Sequence, residues 1–90
     1  MEPSQVKLKK QPQKYLAKVD SITYKKLRKA LDGLENWEGD IIRLKDSEFY
    51  RLKIPQYRII FTHQYDDEIN IIWVEEINTR TNINYGRYSQ

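Results

Sequence analysis

The spacing of apolar residues changes once along the chain. Between residues 13 and 34 they recur every three or four positions, as on a helix face; beyond Asp40 they alternate or run in short β-branched and aromatic blocks, as in strands. The first region predicts two helices. Residues 13–19 place Tyr15, Leu16 and Val19 on one side, and Asp20 or Ser21 offers an N-cap for a second helix with the stripe Ile22, Leu27, Ala30, Leu31 and Leu34. On that helix Lys25, Lys26, Arg28 and Lys29 face water. Residues 4–9, SQVKLK, alternate weakly and predict a first strand, with Pro12 breaking the chain before the helix.

The second region predicts consecutive antiparallel strands at residues 41–45, 48–54, 57–65 and 68–77, separated by short polar breaks. Pro55-Gln56 reads as a turn, since proline fixes φ and gives a ladder no N–H, and Asp66-Asp67 as a second tight connection. The fold class is α+β: one domain over residues 1–90, with two N-terminal helices on a small antiparallel sheet of about four to five strands. Trp37 is expected to plug one end of the core, while His63, by parity on the face of Ile59 and Phe61, is a packed histidine. Tyr57, Phe61 and Trp73 also read as core.

Composition narrows the chemistry. Ninety residues, 39% of them hydrophobic, make one small core and leave no room for a separate cofactor module. With no cysteine and a single histidine, the usual zinc sites are excluded, and Glu75 with Glu76 is too sparse a pair for a metal; no metal and no cofactor are expected. No apolar run approaches a membrane span, and the N-terminus lacks that of a signal peptide, so a soluble, cytoplasmic protein without membrane contact is expected. The net charge of +3 hides an asymmetry: residues 1–30 carry nine basic and two acidic side chains, residues 31–90 seven and eleven. Such a cationic segment draws phosphate or an acidic partner.

The sharpest signal lies in the strands. A period of two puts Tyr50, Leu52 and Ile54 on one face and Arg51 with Lys53 on the other. A hairpin through Pro55-Gln56 brings Arg58, which shares its face with Ile60 and Thr62, close to Lys53. Three cations so placed repel one another, so either each pairs with a surface carboxylate or the patch takes an anion. Arg80 follows the last strand in a segment with Tyr85 and Tyr88, which reads as a mobile tail able to reach over the sheet.

The pair YRLKI and YRIIF across a tight turn, after helices ending LDGL and before an acidic turn, a strand and a basic-aromatic close, resembles the RelE/ParE superfamily of bacterial toxins. The resemblance implies a β-α-α-β-β-β order, a cognate antitoxin protein as partner and, for the RelE-type branch, ribosome-dependent cleavage of mRNA without a metal. In that branch the site is a basic patch with a tyrosine. By position the patch falls on Arg51, Lys53, Arg58 and Arg80, with Tyr85 as the tail aromatic and Tyr88 as its competitor. This chain departs from the pattern in having Arg51 in place of a lysine, Arg80 and Tyr85 one residue closer together, and Pro55-Gln56 where a glycine is common.

The implied reaction, attack of a ribose 2′-OH on the adjacent phosphorus, needs a base, charge stabilisation and an acid. Lys53 is the candidate base because a guanidinium does not give up its proton in practice, and Glu48 is the alternative. Arg51 and Arg58 would hold the phosphate, Arg80 would stabilise the developing charge or donate the leaving-group proton, and Tyr85 would hold a base of the RNA, while Lys25, Lys26, Arg28 and Lys29 would dock on the ribosome. A gyrase inhibitor of the ParE type, or a non-catalytic RNA- or protein-binding relative, is the competing reading.

Overall fold

The computed structural model describes residues 4–88. In them β1 (Gln5–Leu8) leads into α1 (Lys10–Lys18) and α2 (Ser21–Leu34), and β2 (Asp40–Arg43), β3 (Phe49–Ile54), β4 (Tyr57–Asp66) and β5 (Ile69–Thr79) follow. This is the expected α+β arrangement, with the weak first strand present and four strands after the helices where the implied order had three. The strands form one sheet in the order β1-β5-β4-β3-β2. From β2 to β5 the neighbours are antiparallel, but β1 lies parallel to β5, with Lys7 opposite Trp73, so the sheet is mixed. Alternation in a sequence fixes which face a side chain takes and carries no information on the direction of the neighbouring strand.

Both helix starts follow local chemistry. The Asp20 carboxylate accepts the Thr23 N–H as the α2 cap, and the hydroxyl and backbone N–H of Thr23 hold Asp20 below the usual carboxylate range. At α1 the expectation fails: the helix begins at Lys10, with Pro12 buried in its first turn instead of breaking the chain. The first N–H groups of a helix have no intrahelical partner, so proline loses nothing there. Ile22, also in a first turn, is 78% exposed and leaves the expected stripe.

The sheet buries both faces. Toward the helices, Leu16, Leu27, Leu31 and Leu34 pack with Leu52, Ile59, Phe61, Ile72, Val74 and Ile77, and partly buried Tyr50 and Tyr57 join them. Fully burying each such side chain contributes about 1.5–3 kcal/mol. Trp37 leaves α2 with φ 58° and lays its ring edge-on to Tyr50, Phe61 and His63 while remaining 41% exposed, a cover over one end of this core. His63 is an exposed histidine at that rim, its Nε2 3.0 Å from Asn70 Oδ1. On the opposite face Leu44, Ile60, Ile83 and Tyr88 form a second cluster with Phe49 and Tyr85 at its edge. The expected mobile tail is therefore folded, because Ile83 and Tyr88 cover apolar groups of the sheet that would otherwise meet water.

Three local devices set the strand geometry. Gln56 takes φ 69° in the Pro55-Gln56 turn, while Asp67 and Glu68, at φ 47° and 77°, make the two-residue β4–β5 turn that mirrors an ordinary one. A register shift between Ile60 and Phe61 leaves Glu75 as an extra residue in β5, so Val74 and Ile77 both point at the helices while Glu76 points away. Past the end of β1, the Gln11 side chain donates to the Ile77 carbonyl at 2.8 Å and accepts from its N–H at 2.9 Å, closing the open edge of β5.

Candidate functional site

Face assignment on β3 follows the alternation. Tyr50, Leu52 and Ile54 join the helix-side core, and Arg51 and Lys53 stand on the other face. The tight turn at Pro55-Gln56 fixes the register, so Lys53 lies directly opposite Arg58 and Arg51 opposite Ile60. Directly opposed residues have Cβ atoms about 5 Å apart. The Arg80 N–H donates to the Gln56 carbonyl at 3.0 Å, which holds that arginine beside the same turn. The open face thus gathers Arg51, Lys53 and Arg58 at one end, with the backbone of Arg80 held beside the same turn.

How these cations are neutralised separates structural from chemical roles. Arg58 Nη1 donates to the carbonyls of Ile54 at 3.0 Å and Tyr57 at 2.8 Å, bracing the turn. Arg51 Nη2 is 3.6 Å from Asp40 Oδ1, with the carboxylate more than half exposed, and Arg51 Nε is buried without a hydrogen-bond partner. Among the described residues no carboxylate pairs with Lys53, Arg58 or Arg80. The result is a cationic patch whose charge is largely uncompensated by carboxylates among the described residues, as suits a phosphate or another oxyanion.

The sequence gives no direct sign of Asp40 as a member of this patch. It lies opposite Lys53 in the β2–β3 register and beside Arg51, a placement that exists only once the edge strand pairs. Glu76 is a second acid that strand counting misplaces, because the bulge turns it onto the open face. There, 5% exposed, it accepts hydrogen bonds from the Tyr88 hydroxyl and from Asn78 Nδ2 at 3.1 Å.

The aromatic candidates separate. Tyr88 is buried against Phe49, with ring centroids 4.9 Å apart, and burial, then its hydrogen bond to Glu76, pushes its phenol above the ordinary range. Its ring packs within the second cluster. Tyr85 opens the short 3₁₀ turn Tyr85–Arg87 and stays partly exposed at the edge of the second cluster, the cluster that contains Ile60 opposite Arg51. Glu48 is exposed in the bend before β3, at the end of that strand away from Lys53 and the Pro55-Gln56 turn.

Lys25, Lys26, Arg28 and Lys29 are exposed on α2, on the helix side of the sheet. Arg28 is paired with Asp32 at 3.4 Å, and Lys26 lies over the Tyr57 ring at 5.6 Å. Lys26 and Lys29 also flank a groove of about 390 Å³ floored by Ala30, Leu52 and Ile54. The two basic regions approach the Pro55-Gln56 turn from opposite sides of the sheet. No group of acidic residues or histidine suited to a metal ion occurs among the described residues. No helix there is long and apolar enough to cross a membrane.

No family profile matches the sequence, and no curated protein matches it significantly. In structure, the chain is similar to a chain of the archaeal RelE–RelB complex from Pyrococcus horikoshii OT3, with TM-score 0.70 and 24% identity. The likeness covers 90% of this chain and 99% of that one. The chain has the RelE fold. Within that fold, the cationic row of β3 and β4 occupies the sheet face opposite the helices.

Proposed function

We propose that the protein is the cytoplasmic toxin of a toxin–antitoxin pair, a ribosome-dependent, metal-independent endonuclease that cuts mRNA during translation. The observation that carries this reading is the row Lys53–Arg58 on the open face, with Arg51 two residues along β3, Arg80 held at the same turn, and no carboxylate paired with Lys53, Arg58 or Arg80 among the described residues. The combined presence of Arg51, Lys53, Arg58, Arg80 and a tail tyrosine, a set that the resemblance assigns to the RelE-type branch, favours the nuclease over a gyrase inhibitor. The similar chain is part of a complex with RelB, which supports a cognate antitoxin here. That partner would cover the patch or displace the segment after β5.

The chemistry divides among the side chains as follows. Lys53 takes the 2′-OH proton as the oxygen attacks phosphorus, and the 5′-oxygen leaves with a proton donated by Arg80, giving a 2′,3′-cyclic phosphate and a 5′-hydroxyl end. Arg51 and Arg58 hold the phosphate through forked N–H donors, and Arg80 stabilises the charge on the transition state. Arginine is a poor proton donor, so the enzyme is slow without the ribosome to position its substrate.

The test is a Lys53→Ala, Arg80→Ala double variant in a cell-free translation reaction. Near-complete loss of cleavage with ribosome association retained supports the assignment. Cleavage undiminished in that variant removes it.

A further inference from the structure

We propose that Trp73, flanked by Lys7 and Lys9, is a second nucleic-acid contact: a stacking platform for a base of single-stranded RNA bound across the open face. The inference rests on the reading that the Arg51–Lys53–Arg58 end holds a phosphate of the same strand.

The placement of Trp73 starts the argument. Ile72 and Val74 on either side of it are fully buried under the helices, so alternation turns the indole onto the open face, opposite Thr62 on β4 and Lys7 on β1. It is partly exposed there, and is not the core residue that its apolar strand suggests. Two ammonium groups lie over its ring, Lys9 Nζ 4.8 Å and Lys7 Nζ 5.6 Å from the centroid. Neither is paired with a carboxylate among the described residues. Lysines on an edge strand can be explained as protection against pairing with another chain, but that role requires no indole beneath them.

Two like charges close to one indole ring are a poor final state and a good receiving one. The ring quadrupole attracts each cation, yet their mutual repulsion remains until an anion arrives. A nucleotide supplies both missing parts, a flat base for the indole and a phosphate for the lysines.

The position relative to the patch also fits a strand of RNA. Arg58 and Thr62 are on one face of β4, four residues and about 13 Å apart, and Trp73 is one strand beyond Thr62. Between the two ends lies the folded segment after β5, where exposed Arg87 sits 5.9 Å from the Tyr88 ring and Tyr85 is partly exposed. Cations and rings therefore continue across the face, over a length that a few nucleotides span.

Fluorescence tests this directly, because the chain has only two tryptophans. In a Trp37→Phe background, Trp73 reports alone on titration with a single-stranded RNA of about eight nucleotides at low salt. Binding should quench it, and Trp73→Ala should weaken affinity between about fivefold and a hundredfold. Lys7→Ala with Lys9→Ala should flatten the slope of log affinity against log salt by about 1.4, and this variant alters only exposed side chains if Trp73→Ala fails to fold. Unchanged fluorescence on binding, an unaltered salt slope, or no binding of the RNA at about 50 mM salt overturns the proposal. Cleavage of translated mRNA by the wild type alongside such a result leaves the nuclease reading standing. Quenching without cleavage has the opposite meaning.

Discussion

Replacing Tyr88 by Phe isolates the anchor of the segment that covers the open face. Tyr88 is 9% exposed and Glu76 5%, and the Tyr88 hydroxyl is one of two side-chain donors to that carboxylate, the other being Asn78 Nδ2. Phenylalanine keeps the ring against Phe49 and removes only the hydroxyl, leaving a buried carboxylate oxygen without its partner. A hydrogen bond to a charged group contributes about 1.5–3 kcal/mol, so Tyr88→Phe should cost about 2 kcal/mol at neutral pH. In a domain of this size that lowers Tm by about 10 °C. Urea unfolding should show a lower midpoint with an unchanged slope.

The pH dependence of that cost gives a second readout. Burial, then Glu76, raises the phenol pKa of Tyr88 in the folded protein, so the folded state holds the proton more tightly than the unfolded chain. The resulting stability is fully present below about pH 10 and is lost as pH rises toward the folded value. The wild type should weaken through this alkaline window more than Tyr88→Phe does. Tyr15, which burial and then Tyr57 also raise, contributes to both proteins and cancels in the difference. A Tyr88→Phe protein as stable as the wild type, with the same alkaline decline, would refute the anchoring role.

Further outcomes follow from the same geometry. Gly39→Ala should destabilise by more than about 1 kcal/mol in urea unfolding, since Gly39 has φ 113° and a Cβ there would meet Leu52 Cδ1 at 2.6 Å. Gln11→Ala exposes the paired backbone groups of Ile77 and should cost about 1–2 kcal/mol, with faster hydrogen exchange at Ile77. Asp40→Asn removes the acid opposite Lys53 and should tighten binding of single-stranded RNA by up to about fivefold while changing stability by under about 0.5 kcal/mol.

What the sequence revealed and what it concealed divide along physical lines. The faces of Arg51 and Lys53 were legible because strand alternation is strict, and the Lys53–Arg58 pairing because a two-residue turn leaves one register. The Asp20 cap was legible from a local hydrogen-bond rule. Pro12 misled because proline is tolerated in a first helical turn, and the parallel neighbour of β1 could not be inferred from alternation. The bulge at Glu75 shifts the parity of β5, and that hid Glu76 from the open face. Trp73 was lost in an apolar strand whose two faces only the tertiary packing separates. The folded segment after β5 was hidden for another reason: its apolar residues are too few to form an element alone and order only against Leu44, Phe49 and Ile60.

The most direct test of the central claim is primer extension on mRNA recovered from a cell-free translation reaction supplied with the purified protein, with a ribosome-free control. The account predicts breaks inside the reading frame that require ribosomes and are lost in the Lys53→Ala, Arg80→Ala variant. Intact mRNA with undiminished translation would contradict it.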